Sequence, residues 1–111
     1  MTDNKLSAYL GFAARARQLQ TGYNTCLSLI ARHRVRLLIV AGDSSENTVK
    51  KMTQKCASHG TDIRVFGTKD ELSRMTGNSD NSVFAVTDRN FANVIKKEID
   101  RIQSGSEGEV L

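Results

Sequence analysis

The run Val35-Arg36-Leu37-Leu38-Ile39-Val40-Ala41-Gly42 limits the possible folds of this chain more than any other segment. A strand with one wet face alternates apolar and polar residues, whereas this run is almost continuously Val, Leu and Ile. It predicts a central strand buried on both faces, and such a strand needs helices on both sides of its sheet. The neighbouring segments supply them. Residues 4–15 read as a helix with Leu6, Leu10 and Ala13 on one face and Asn4 as its N-cap. Residues 22–33 read as a second helix, with Cys26, Leu27, Ile30 and Ala31 at three-to-four spacing. Residues 18–21 between them are long enough for one short strand.

The same grammar continues downstream. Asp43, with Glu46 three residues later, predicts a capping-box start to a helix over 44–59, which Gly60 stops. Residues 62–66 form the next strand. Thr68 and Glu71 make a second capping box, opening a short helix that ends at Gly77. Residues 82–87 form the last strand, and Asp88 caps a final helix over about 89–103. Residues 104–111, rich in Ser, Gly and Glu, read as a disordered tail. The order αβαβαβαβα predicts one domain over 1–103, an α/β fold built as a three-layer α/β/α sandwich around about four strands.

The chain is 111 residues long, enough to bury roughly two-thirds of its unfolded surface. No run stays apolar for the roughly 20 residues of a membrane span. Arg15 and Arg17 interrupt the place where a signal peptide would carry its apolar region. A cytoplasmic location without membrane contact is therefore expected. Cys26 and Cys56 lack a CxxC partner, and with His33 and His59 they supply too few ligands at these spacings for zinc. They read as free, buried thiols, and no metal or cofactor is expected.

Charge is uneven. Residues 1–59 hold 9 Lys/Arg and 3 Asp/Glu, a net +6, while residues 60–111 hold 7 and 9, a net −2. A basic half on a small domain fits a nucleic-acid partner. With 4 Phe, 2 Tyr and no Trp, a platform that stacks single-stranded bases is not expected. Catalytic motifs are missing: there is no Gly-x-Ser-x-Gly, no phosphate-loop Gly-Lys-Ser/Thr and no Gly-x-Gly-x-x-Gly. His33 and His59 read as helix-terminal cations. Asp43 and Asp88 follow strands, where α/β enzymes place carboxylates, but both also stand where N-caps belong.

Residues 10–22, Leu-Gly-Phe-Ala-Ala-Arg-Ala-Arg-Gln-Leu-Gln-Thr-Gly, carry the functional signal. A small-residue helix ends in Arg15 and Arg17, and Thr21-Gly22 then opens the next helix. Unpaired N–H groups and partial positive charge at a helix N-terminus suit a phosphate backbone. Arg17 stands at a helix exit where Gly would be the natural left-handed residue.

Several motifs in order resemble a known family. They are Leu10-Gly11-Phe12-Ala13 with Arg15-Ala16, Thr21-Gly22, and Leu37-Leu38-Ile39-Val40-Ala41 followed by Asp43. Next come Ser45-Glu46-Asn47-Thr48 with Lys50-Lys51, then Lys55-Cys56, Glu71-Leu72 and Gly77. Val83-Phe84-Ala85-Val86-Thr87-Asp88 with Phe91-Ala92 completes the set. Over residues 5–97 the chain resembles the YlxQ-like bacterial branch of the kink-turn RNA-binding ribosomal protein superfamily. The resemblance implies a four-stranded mixed sheet and a non-enzymatic role binding structured RNA, foremost ribosomal RNA, with association to the ribosome. A monomer is expected.

The resemblance also implies a site. In the superfamily a Gly-x-Asn-Glu-x-x-Lys pattern opens the second helix, its Asn and Glu reading sheared G·A pairs and its Lys meeting the backbone. The corresponding stretch here is Gly22-Tyr23-Asn24-Thr25-Cys26-Leu27-Ser28. Gly22 and Asn24 match, Thr25 replaces the Glu and Ser28 replaces the Lys. Arg32 falls where a further backbone contact is expected. A second contact loop, usually apolar with one acid, reads Asn78-Ser79-Asp80-Asn81 here. The expected RNA face is thus Arg15, Arg17, Gly22, Asn24, Thr25, Ser28 and Arg32 with Asn78, Ser79 and Asp80, and Lys50, Lys51 and Lys55 could extend it. Losing the Lys removes about one unit of salt dependence, and losing the Glu removes an acceptor for guanine N–H groups. Those losses keep a second reading open: a protein-interaction or ribosome-assembly factor on the same fold. A third, a phospho-receiver or small enzyme using Asp43 or Asp88, lacks the acidic pair that would hold a metal.

Overall fold

The computed structural model describes residues 4–78 and 80–110. Its elements are α1 (Asn4–Arg15), β1 (Leu19–Thr21), α2 (Tyr23–Ala31), β2 (Leu37–Val40), α3 (Glu46–His59), β3 (Ile63–Val65), α4 (Lys69–Thr76), β4 (Val83–Val86) and α5 (Arg89–Val110). The four strands form one mixed sheet in the order β1-β4-β2-β3. β4 runs antiparallel to both β1 and β2, and β2 runs parallel to β3.

The two central strands explain the apolar runs. Successive strand residues point to opposite faces. Leu37, Ile39, Phe84 and Val86 therefore enter one core, with Leu6, Leu10 and Ala13 of α1, Leu72 of α4 and Ile95 and Ile99 of α5. Leu38, Val40, Val83 and Ala85 enter the other, with Cys26 and Ile30 of α2 and Met52 and Cys56 of α3. The layers are thus α1, α4 and α5 on one side, the sheet, and α2 and α3 on the other, the three-layer sandwich the sequence predicts.

Helix boundaries follow the sequence signals, α2 ending at Ala31 rather than at residue 33, with three further exceptions. α1 is already helical at Asn4, so its cap lies outside the described residues. Asp43 does not cap α3. That role belongs to Ser45, whose Oγ accepts from Thr48 N at 3.1 Å, while Asp43 Oδ1 accepts from Lys69 N at 2.9 Å at the start of α4. A turn closed by Ser44 N donating to Ala41 O pushes the helix start past Asp43. α5 runs to Val110 and so includes most of the segment read as a disordered tail. The helix is tied down as far as Gln103, whose side-chain amide donates to Val65 O at 2.8 Å, and Ser104 Oγ bonds Asp100 O one turn back.

Two other caps follow the sequence closely. Thr68 and Glu71 form the complete reciprocal box, and Asp88 Oδ2 accepts from Phe91 N at 2.9 Å. α5 also covers the β3 edge: Arg64 grips Asp100 through two nitrogens at 2.6 and 3.1 Å, and Lys96 reaches Asp62 at 2.6 Å. Such cover blunts an edge strand against pairing with other chains.

Four helices end in the same way. In each, the amide two positions past the last helical turn donates to a carbonyl five residues back: Gln18 to Ala13, Arg34 to Leu29, Thr61 to Cys56 and Asn78 to Ser73. This motif requires a left-handed residue, normally Gly. α3 and α4 use Gly60 and Gly77, at φ 66° and 77°. α1 and α2 use Arg17 and His33, at φ 60° and 58°.

Candidate nucleic-acid interface

Strand directions separate the expected site residues into two groups. β1 and β2 run the same way, so the starts of both lie at one end of the sheet and their last residues at the other. At the second end, Gly22 N donates to Val83 O at 3.2 Å and Ala41 N to Ser82 O at 2.9 Å. The start of α2, the segment after β2 and the loop entering β4 therefore meet there. Gly22, Asn24 and Thr25 belong to this end, and Asn78 and Asp80 lie on the loop beside it. Ser79 lies outside the described residues.

Gly22 leads α2 at φ 108° and ψ 142°, a conformation essentially reserved for glycine. No side chain caps α2. Its first amides keep their donor capacity, and the helix dipole adds partial positive charge. Behind them Asn24, Thr25, Ser28 and Arg32 are all exposed. Their spacing at 3.6 residues per turn puts them on one stripe running the length of α2. Cys26 and Ile30 occupy the opposite, buried face.

The loop before β4 turns sharply at Asp80, which has φ 55°. On its α4 side is a depression of about 450 Å³ lined by Asp43, Lys69, Asp70, Ser73, Arg74, Asn78 and Asp80. Ser73 Oγ is buried there without a hydrogen-bond partner. Arg74 is committed to Asp70 at 3.0 Å. Three carboxylates against two cations make this hollow a poor place for phosphate, so the side facing α2 is the better surface.

Arg15 and Arg17 fall at the other end of the sheet. Gln18 O accepts from Thr87 N at 2.9 Å and Arg36 N donates to Val86 O at 2.8 Å, which puts Arg17 and Arg36 on either side of the end of β4. Arg15 belongs to the layer across the sheet from α2. Its guanidinium folds back over the exposed Phe12 ring, 5.2 Å from the centroid, a cation–π contact within α1. Arg32 closes α2 and shares this basic end. The structure thus gathers Gly22, Asn24, Thr25, Asn78 and Asp80 at one end, leaves Ser28 partway along α2, and sets Arg15, Arg17 and Arg32 at the other.

Sequence reasoning did not select Arg34, Arg36 and Arg89, which are exposed beside Arg17 and Arg32. Their signal was present: Arg34 and Arg36 bracket the first buried residue of the central run, and Arg89 follows a cap. Only the strand directions show that three such segments converge. Lys50 and Lys51 are exposed on the first half of α3, in the same layer as α2, and Lys55 is half-buried.

The two cysteines lie in the α2–α3 core and are free thiols. Burial, with the neighbouring Cys56, pushes the Cys26 thiol up to about 12. Burial, with Asp62 nearby, pushes Cys56 up to about 11. Thiols held neutral in this way are poor nucleophiles and poor metal ligands. Asp43 and Asp88 are both occupied with helix N-terminal amides.

Residues 4–96 match the family model described as "Ribosomal protein L7Ae/L30e/S12e/Gadd45 family". The chain is 34% identical over 91 residues to the "RNA-binding protein YlxQ" of Bacillus subtilis (strain 168), covering 82% of this chain and 91% of that one. It is 31% identical to the protein of the same name from Enterococcus faecium, covering 82% and 87%. Among solved structures, a protein of unknown function from Bacillus halodurans superposes with a TM-score of 0.85 at 34% identity, over 88% of this chain and 99% of that one. The Giardia lamblia 15.5kD RNA binding protein superposes with a TM-score of 0.73 at 20% identity, over 90% and 92%, a likeness of fold. No helix among the described residues is long and apolar enough to cross a membrane. The chain belongs to the ribosomal protein L7Ae/L30e/S12e/Gadd45 family.

Proposed function

We infer that this protein is a non-enzymatic RNA-binding module that grips structured RNA at the Gly22 end of α2. The observation that carries this reading is the uncapped, glycine-led helix start beside a polar loop, with Asn24, Thr25 and Ser28 exposed behind it. Backbone amides and the helix dipole hold a phosphate, which fixes register. Asn24 carries a paired donor and acceptor that can meet a base edge. A-form duplexes hide their major groove, so a small reader of this kind takes a bent or bulged motif, a kink-turn in ribosomal RNA being the favoured example. The names of the Bacillus and Enterococcus relatives agree with RNA as the partner. Thr25 and Ser28, shorter and uncharged, give a weaker reader than one with Glu and Lys at those positions.

Restoring those groups tests the site. Thr25→Glu/Ser28→Lys should tighten binding to a kink-turn RNA by about tenfold and steepen the salt dependence by about one unit. Asn24→Ala should abolish any preference for intact over disrupted G·A pairs in a fluorescence titration. If neither change alters RNA affinity or preference, the RNA is not read at this end. Thr25 and Ser28 favour one competing reading, an assembly factor that uses this face for protein. It is supported if Asn24→Ala leaves RNA affinity unchanged.

A further inference from the structure

We propose that the opposite end of the sheet is a second RNA surface, holding the phosphates of a stem that continues along α2 from the motif read at Gly22. The proposal rests on the RNA-binding reading above and adds where the rest of the RNA runs. Arg17, Arg32, Arg34, Arg36 and Arg89 are all exposed, and among the described residues none of them forms an ion pair. Arg17 and Arg36 stand on either side of the end of β4, about two strand spacings or ~10 Å apart. Arg89 follows the same end of β4, opening α5. The acids in this region are engaged: Asp62 holds Lys96, and Asp88 holds Phe91 N.

Fold stability accounts for only part of this cluster. A cation at a helix C-terminus complements the dipole, and that explains Arg32. Arg34 and Arg36 lie outside any helix. Arg89 is the first residue of α5, where a positive charge opposes the dipole. Arg17 occupies a left-handed position that the same chain fills with Gly60 and Gly77 at the ends of α3 and α4. Two of the five thus sit against local preference, and all five present guanidinium groups, which match phosphate with paired donors. The His33 ring between Arg32 and Arg34 pairs with the His59 ring, 5.4 Å between centroids, so backbone contact rather than base stacking is the mode of these arginines. The exposed stripe of Asn24, Thr25, Ser28 and Arg32 joins the two ends along a helix of about 13 Å.

The test compares a kink-turn RNA carrying a long stem with the same motif on a stem cut to a few pairs, each with intact or disrupted G·A pairs, at about 50 and 200 mM salt. Wild-type protein should bind the long-stem RNA about tenfold more tightly. Arg34→Ala/Arg36→Ala should lose that gain and about two units of salt slope, with its preference for intact G·A pairs unchanged. Lys97→Ala, on the exposed side of α5, should behave as wild type. Arg17→Gly should melt at a higher temperature yet bind the long-stem RNA more weakly, a pairing that misfolding cannot produce. Wild-type affinity and slope in both arginine variants would overturn the proposal, as would equal binding of long and short stems, which would leave this surface to a protein partner. Loss of the G·A preference in wild type would sink the base-reading site alone, because the stem comparison is made with or without it. Absence of RNA binding would overturn both.

Discussion

Arg17 and Gly22 show how single residues set the limits of this fold. Both have positive φ, at 60° and 108°, but only Gly22 has the residue type that such backbone favours. Arg17→Gly should stabilise the protein by roughly 0.5–1 kcal/mol by removing a left-handed side chain, read as a rise in thermal midpoint. Gly22→Ala should cost about 1–3 kcal/mol or shift the start of α2, read in the same way. The added Cβ would meet nothing closer than Thr25 Oγ1 at 3.7 Å, so the cost is torsional rather than steric. At this scale the sequence was informative where the partner is near. Arg17 was legible as a left-handed residue because the helix exit lies beside it. Asp43 is not the α3 cap that its sequence position predicts, because its partner, Lys69 N, is a residue on another helix.

The helices and strands were legible for two different reasons. β2 and β4 are buried on every residue, so their apolar runs announce central strands without any alternation. α3 and α4 announce themselves through caps and terminal glycines. Ser45→Ala should destabilise the protein by about 1 kcal/mol through the loss of the Thr48 amide's acceptor, measurable by urea unfolding. The α5 end was not legible. Gly105 and the acidic residues after it look like a tail, and nothing local shows that Gln103 reaches a β3 carbonyl. The site divides in the same way. The α2 stripe follows from helical periodicity alone, whereas the placement of Arg15, Arg17 and Arg32 at the other end depends on strand directions that no local pattern contains.

Across the whole molecule, the two ends of the sheet differ in kind. α2, α3 and α4 begin at the end that carries Gly22 and Asn24, and α1, α2 and α3 finish at the arginine end. The first offers helix amides and an amide side chain, and the second offers guanidinium groups. The core between them is also pH-sensitive. Cys26 and Cys56 have folded-state values near 12 and 11 against an ordinary 9.0, so the folded state keeps protons that the unfolded chain releases. Stability is therefore full below about pH 9 and declines as pH rises from there through the folded values. Urea midpoints should be level through neutral pH and fall above it, and Cys26→Ala/Cys56→Ala should flatten the alkaline fall. A variant with an unchanged alkaline profile would show that the thiols are not its source.

The most direct test of the RNA reading is a fluorescence titration of wild-type protein with a kink-turn RNA and with a matched RNA whose G·A pairs are disrupted, at two salt concentrations. The account predicts tighter binding of the intact motif at both, with a salt slope common to the two RNAs, because Asn24 reads bases while amides and arginines hold phosphates. Equal affinity for the two RNAs would contradict it and would leave α2 without a base-reading role.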